Sequence, residues 1–514
     1  MIGKVYLVGA GPGDPGLITI RGQELLQRAE VVVYDYLANK RFLNHVPASA
    51  ELIYVGKKGH GVHAQTQDEI NQILVDKALS GKMVVRLKGG DPFIFGRGGE
   101  EIEEIAKFGI EFEIVPGVTA ASAAATYAGI PITHRQYTAT VAFVTGHEDP
   151  TKQDSTIAWD KLATGVGTLV FYMGIKNLPN ITERLIRYGR SPETPAAVIR
   201  WASTPAHRTV VGTLATIVDE VKKAGIKPPA VIVVGEVVGL RDTINWFEKR
   251  PLLGKKIMVT RTREQASDLV SRLEELGVDC VEFATIALEP PDSWQALDSA
   301  IDDLANFDWL LFTSINAIQF FFRRLFERQL DARVLAGIKI AVVGTATAAE
   351  LQKYGLVADL LPGTEFTGEG LAATLIEQGV VTGRRFLLPR ALKANEALPE
   401  ILQQAGAEMT VAPVYQNIRP QGREELLRQE LADNAVDMVT FTSSSTFINF
   451  VHMLNPKDDG ELRELLGGVK IASIGPVTSR AIAKRGLTVD VQPEGNYSIA
   501  TMVQAITEFD WDKG

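Results

Sequence analysis

The sequence predicts an α/β chain of four lobes arranged in two pairs. Three observations predict it. Short apolar runs alternate with helix-patterned stretches along the first half, the second half repeats itself, and 514 residues suffice for three or four domains at about 150 residues each. In the first half the apolar runs at 5–8, 31–34, 84–87, 112–115, 141–144, 169–172, 196–199 and 230–234 are bounded by glycine or proline and read as buried strands. Their alternation with helical stretches predicts much parallel sheet. A segment containing Pro251 then leads into a fresh strand at 257–260, which places a boundary near residue 250.

In the second half, Asp308-Trp309-Leu310-Leu311-Phe312-Thr313-Ser314 is echoed by Asp437-Met438-Val439-Thr440-Phe441-Thr442-Ser443, an offset of 129. Residues 339–344 match 470–475 at an offset of 131, and 257–261 match 386–390 at 129. Three anchors in order define a duplicated α/β lobe. In open parallel sheets ligands gather at the carboxyl ends of strands. The hydroxyls of Ser314 and Ser443, the turns after Gly344 and Gly475, and the paired Arg261 and Arg390 are therefore candidate contacts for carboxylates. Helix capping is the competing role for the Thr and Ser residues.

Composition narrows the function. The chain has 53 basic and 62 acidic residues, a formal charge of −9, which argues against a general nucleic-acid or membrane-surface binder. A single cysteine, Cys280 on an apolar strand, excludes a disulfide framework within the chain and reads as packing. Seven histidines without an HExxH pattern argue against a catalytic metal. No apolar run approaches the roughly 20 residues that span a bilayer. Residues 5–10 are too short an apolar run for a signal peptide, so a cytoplasmic location is expected.

Gly11-Pro12-Gly13-Asp14-Pro15-Gly16 follows a strand and matches GxGxxG, and Asp35 stands about where a ribose-binding acid would, so a nicotinamide-dependent oxidoreductase is one candidate. Pro12 and Pro15 lack the N–H donors that a pyrophosphate needs. The second glycine-rich loop, residues 88–100, has no place in a dinucleotide fold.

Taken together, Val8-Gly9-Ala10-Gly11-Pro12-Gly13-Asp14, Arg86-Leu87-Lys88-Gly89-Gly90-Asp91-Pro92 and Pro116-Gly117-Val118-Thr119-Ala120-Ala121 resemble the ordered signatures of the tetrapyrrole methyltransferases, most closely uroporphyrinogen-III C-methyltransferase. Gly129-Ile130-Pro131-Ile132-Thr133-His134-Arg135, Phe171-Tyr172-Met173-Gly174 and Leu240-Arg241-Asp242 continue the resemblance. It implies a two-lobed methylase fold over 1–247, with lobes of about 1–116 and 117–247, that uses S-adenosylmethionine without a metal. It also implies Asp35 as proton acceptor and Lys57 as proton donor, the acid and base that the chemistry needs. Pro12, Gly89, Gly90, Asp91, Ile94, Thr119, Ala120, Met173 and Ala202 are the implied cofactor residues. Arg97, His134, Arg135 and His147 are candidates for the carboxylates of the substrate.

Phe312-Thr313-Ser314, Val343-Gly344-Thr345-Ala346-Thr347-Ala348, Pro413-Val414-Tyr415-Gln416 and Ile474-Gly475-Pro476-Val477-Thr478 resemble, more loosely, uroporphyrinogen-III synthase. That family implies a second two-lobed fold over 254–514, after a linker at 248–253: one lobe of 254–287 with 417–514, the other of 288–416, joined by a two-stranded connector. Tyr415 is the implied proton donor, with Ser314, Thr347, Arg390, Ser443 and Thr478 contacting substrate. The two resemblances imply consecutive steps. Hydroxymethylbilane is cyclised to uroporphyrinogen III, which is methylated twice to precorrin-2 for sirohaem, cobalamin or another branch. The implied partners are small tetrapyrroles and a second copy of the chain, as a homodimer through the first half. A methyltransferase carrying a non-catalytic tetrapyrrole-binding module is the remaining alternative.

Overall fold

The computed structural model describes residues 2–56, 65–147, 156–261, 263–363, 365–420, 422–432 and 436–511, the side chains of 263–267 excepted. Two compact units emerge, Met1–Ile257 with Leu269–Val281, and Met258–Asp268 with Glu282–Gly514.

The first unit holds two unlike sheets. Strands β1 (Lys4–Gly9), β2 (Val31–Tyr34), β3 (Glu51–Tyr54), β4 (Val84–Lys88) and β5 (Glu111–Val115) lie in the order β3-β2-β4-β1-β5. Every pairing is parallel, as the apolar runs predict for strands covered on both faces. The second sheet takes β6 (Val141–Thr145), β7 (Thr168–Tyr172), β8 (Pro195–Arg200), β9 (Arg208–Thr213) and β10 (Ala230–Val234) in the order β6-β7-β10-β8-β9. Only β6–β7 is parallel there; β10 runs antiparallel to both β7 and β8, and β8 to β9. The expectation of mainly parallel sheet therefore fails in this lobe. The β8–β9 connection is too short for the crossover that a parallel pair requires.

The chain after residue 244 is fastened to this unit. Trp246 Nε1 donates to Thr126 O at 3.2 Å, Phe247 is buried, and Glu248 lies between His207 (2.8 Å) and the Arg241 guanidinium. Burial pushes the Glu248 carboxyl up, but hydrogen bonds from His207, Thr209 and Arg241, with the charge of Arg241, outweigh it and bring the pKa down to about 2.

The remaining strands are β11 (Lys256–Val259), β12 (Asp279–Glu282), β13 (Ala287–Glu289), β14 (Trp309–Phe312), β15 (Lys339–Val342), β16 (Arg385–Ala391), β17 (Glu408–Ile418), β18 (Met438–Phe441) and β19 (Lys470–Ser473). One sheet has the order β12-β11-β18-β19 and the other β13-β17-β16-β14-β15. Superposing the repeat maps β12, β11, β18 and β19 onto β17, β16, β14 and β15, so both lobes carry the same strand order. The duplication extends into side-chain detail. Asp359 Oδ2 accepts from Ile340 N at 2.7 Å, and Asp490 Oδ2 accepts from Ile471 N at 2.8 Å. Thr367 and Ser498 cap the equivalent following helices.

The antiparallel pairing of β13 with the end of β17, Ala287↔Ile418 to Glu289↔Gln416, forms the two-stranded connection where the chain crosses between lobes. The early part of this unit is tied to the late part by threonines. Thr260 Oγ1 donates to Thr440 O at 2.7 Å, Thr440 Oγ1 to Met258 O at 3.2 Å, and Thr285 Oγ1 to Thr260 O at 2.9 Å. Cys280, on β12, is partly exposed.

Candidate active site

Four loop ends of the first unit meet where β1, β4, β7 and β8 finish. Gly11 and Gly90 bridge the loops after β1 and β4, Gly90 N donating to Gly11 O at 2.7 Å. The approach is so close that a Cβ on Gly117 would lie 2.3 Å from Gly90 O, and one on Gly9 would lie 2.5 Å from Gly117 N. No side chain fits there. Asp91 locks the arrangement, its Oδ2 accepting from Gly117 N at 3.1 Å and its Oδ1 from Phe93 N at 2.9 Å.

The GxGxxG loop does a different job from the one its pattern suggests. Asp14 Oδ2 accepts from Tyr127 Oη at 2.8 Å, and Asp14 N donates to Ser203 Oγ at 3.1 Å. The helix Ile20–Arg28 begins only after an intervening 3₁₀ turn, capped by Thr19. A pyrophosphate-binding helix start is thus missing from the loop.

These ends enclose a cavity of about 700 Å³. Its wall contains all nine residues expected to hold the cofactor: Pro12, Gly89, Gly90, Asp91, Ile94, Thr119, Ala120, Met173 and Ala202. Asp35, Arg97 and His147 line it too, whereas His134 and Arg135 are not part of the lining. His134 is instead bridged to Thr138, with its ring 5.0 Å from Tyr137. Lys57 lies outside the described residues.

The site also contains residues that the sequence reading missed. Tyr172, at the end of β7, has its hydroxyl 2.5 Å from Thr119 Oγ1, and it accepts from Ala121 N at 3.0 Å. Burial pushes this phenol up. Backbone strain marks the same place. Of the seven non-glycine residues with positive φ among those described, Phe95, Arg97, Met173 and Trp201 line the cavity and Ser203 holds the loop beneath it. Such conformations cost about 1–3 kcal/mol each and persist where surrounding structure enforces them.

Asp35 accepts from Arg86 Nη2 at 2.9 Å on one oxygen and from Leu37 N at 3.0 Å on the other. Arg86 also faces Glu101, which takes a 2.6 Å hydrogen bond from Lys88 and one of 3.2 Å from Gln67. Burial, then Arg86 beside it, hold Lys88 below the ordinary lysine range against the opposing pull of Glu101.

In the second unit most of the candidate groups are committed to the fold. Ser314 caps the helix Ile315–Glu327 by accepting from Ala317 N at 3.1 Å, and Ser443 caps Ser444–Leu454 by accepting from Thr446 N at 3.2 Å. Thr347 and Thr478 are buried at equivalent places in the helices after Gly344 and Gly475. Arg390 is buried, bonded to Glu396 at 2.5 Å and Asn395 O at 3.0 Å. Tyr415 is buried on β17, stacked on Phe320, with its hydroxyl 3.4 Å from Ser314 Oγ.

Among the described residues no helix is long and apolar enough to cross a membrane, and no group of three or more His, Cys, Asp or Glu could hold a metal ion.

The family model of tetrapyrrole (corrin/porphyrin) methylases matches residues 4–218, and that of uroporphyrinogen-III synthase HemD matches 267–504. The porphyrin biosynthesis protein HemD of Ruminiclostridium josui is 41% identical over 449 residues, covering 87% of this chain and 88% of that one. The uroporphyrinogen-III C-methyltransferase of Priestia megaterium is 54% identical over 237 residues, 46% of this chain and 99% of its own length. The crystal structure of uroporphyrin-III C-methyltransferase from Thermus thermophilus with S-adenosyl homocysteine is 40% identical and covers 46% of this chain and 100% of its own, with a TM-score of 0.40. With both signatures present and one relative aligned across 449 residues, the chain belongs to the tetrapyrrole methylase family by its first half and to the uroporphyrinogen-III synthase family by its second.

Proposed function

We propose that the chain is a bifunctional enzyme of tetrapyrrole biosynthesis. Its second half closes hydroxymethylbilane to uroporphyrinogen III with inversion of ring D, and its first half methylates that product twice with S-adenosylmethionine to precorrin-2. The observation that carries this reading is the cavity wall, to which two lobes contribute all nine candidate cofactor residues.

The donor set suits a zwitterionic sulfonium compound. The backbone at Gly89 and Gly90 can approach a ligand closely, Gly90 by its left-handed φ of 70°. Asp91 offers a carboxylate to an ammonium group, and Ile94, Ala120, Met173 and Ala202 provide an apolar wall alongside Pro12 and Thr119 in the same lining. When bound, the cofactor supplies a methyl group activated by positive sulfur. Transfer to a pyrrole carbon is an in-line displacement, so orientation by this wall is the main source of rate. Asp35 accepts the proton that the alkylated macrocycle gives up, and Lys57 returns one. Arg97 and His147 meet substrate carboxylates at the cavity; the same role for His134 and Arg135 requires a substrate reaching beyond its lining.

In the second half the task is to bring the ends of a linear chain together after water departs. Tyr415 protonates the leaving hydroxyl, with Ser314 fixing its direction, while Arg390, Thr347, Ser443 and Thr478 surround the bilane carboxylates. We place the enzyme in the cytoplasm as a homodimer through its first half, which light scattering tests.

Hydroxymethylbilane and S-adenosylmethionine supplied together to the purified chain test both activities. Precorrin-2 derived from the type III isomer is the expected product. Type I isomer with methylation only of added uroporphyrinogen III would leave the second half non-catalytic. Stabilisation by a nicotinamide dinucleotide rather than S-adenosylmethionine would remove the methyl-transfer reading.

A further inference from the structure

Behind Asp35 the cavity wall carries a chain of buried charges to which the reaction so far gives no work. Arg86 and Lys88 are two residues apart on β4, so their side chains leave the same face of the sheet. Glu101, from the helix Gly98–Lys107, meets them there, 2.6 Å from Lys88 Nζ and 3.5 Å from Arg86 Nε. The three residues are 3%, 5% and 0% exposed. Arg86 Nε and Glu101 Oε2 are buried without a hydrogen-bond partner. A fold gains little from such a set, because apolar residues of similar volume usually serve stability as well or better. Around it the sheet is filled by Val31, Val33 and Val84 on one face and by Val32, Val85 and Leu87 on the other.

The order of the groups supplies the missing purpose. Arg86 is permanently cationic and presents Nη2 to Asp35 Oδ2 at 2.9 Å, while its Nη1 donates to Leu87 O at 3.0 Å. Leu37 N holds the other Asp35 oxygen at 3.0 Å, so neither oxygen can turn away. Glu101, itself held by Lys88 and Gln67, confronts Arg86 from behind. Besides Arg86, Lys88 on β4 and Tyr54 on β3 lie within electrostatic reach of Asp35.

We propose that Arg86 is the positioning residue of methyl transfer, holding the Asp35 carboxylate aimed into the cavity, with Glu101 and Lys88 holding Arg86 in register. The inference rests on the reading of Asp35 as proton acceptor.

The test uses the full chain with S-adenosylmethionine and uroporphyrinogen III, following kcat and KM for Arg86→Gln, Arg86→Lys and Asp35→Asn. Losing the guanidinium frees one Asp35 oxygen to turn away from the cavity. Arg86→Gln therefore lowers kcat by about 30-fold or more, with KM changed by less than about threefold. Arg86→Lys keeps the charge but not the fork. It recovers part of the loss, with kcat about tenfold down. A loss in Arg86→Gln carried by KM, or one that Arg86→Lys does not lessen, would overturn the inference, leaving Arg86 a structural residue. If that variant does not fold, wild-type kcat in Arg86→Lys would overturn it equally. Full activity in Asp35→Asn sinks the reading of Asp35 itself, a separate failure that the Arg86 variants do not produce.

Discussion

In the first unit one sheet is all-parallel and the other mostly antiparallel, and their unlike loop ends enclose a cavity of about 700 Å³ walled by buried charges and left-handed residues. Along the second half of the chain, two lobes share one strand order, and Ser314 and Ser443 sit in matched places capping matched helices. A site made from unlike parts can give each group its own environment: Asp35 is clamped on both oxygens, and Lys88 is held below its usual range. A site made by duplication inherits its polar groups in pairs, and most of those are already spent on helix ends. The first design suits proton management. The second suits shaping a flexible chain.

That contrast can be broken in four places. The largest effect is expected at Asp35. Asp35→Asn should lower methyl transfer by about 10²–10⁴-fold, the usual contribution of a positioned base, while isomer-resolved chromatography finds type III uroporphyrinogen made at the wild-type rate. Loss of both activities together would mean that the halves do not work independently. Next comes Gly117→Ala, whose Cβ would meet Gly90 O at 2.3 Å. Overpacking of about 1–3 kcal/mol should weaken S-adenosylhomocysteine binding by about 5- to 150-fold in calorimetry, and unchanged affinity would detach the glycine crossing from the cofactor.

Tyr415→Phe in the second unit is expected to do less. It removes a proton donor whose work water can partly take over, so cyclisation should slow by about tenfold without stopping, short of the roughly 10²–10⁴-fold loss of a fully positioned acid. Unchanged turnover would take Tyr415 out of the mechanism. The smallest effect concerns stability. The Glu248 carboxyl is about 2 when folded and near 4.5 when free, so its ionised form stabilises the fold above about pH 4.5, and this contribution is lost as pH falls toward 2. Glu248→Gln should lower the melting temperature near pH 7, with the gap to wild type closing as the pH approaches 2. A gap independent of pH would assign the loss to packing.

Strand positions were legible because burial on both faces writes a continuous apolar run, and 169–172 and 230–234 are such runs. The doubled lobe was legible from its Thr-Ser strand ends, and the glycine crossing from motifs that tolerate no side chain. The direction of β10 was hidden, since an apolar run is the same read either way. So was β9, whose residues are only half buried. The ion chain was hidden for another reason: Glu101 lies among the acidic residues of a surface-patterned helix, and only folding brings it to Arg86 and Lys88. Met173 and Trp201 take left-handed backbone that nothing in their own chemistry announces.

The threonine ties between residues 258–260 and Thr440 also set an order of assembly during synthesis. Strands β13 to β17 are consecutive, so the lobe they form is complete once Ile418 has left the ribosome. The other lobe begins earlier and finishes later, because β11 waits for β18. A nascent chain arrested just before β18 therefore carries one closed lobe and one open sheet edge. The oldest strand of the second half waits longest for its second neighbour.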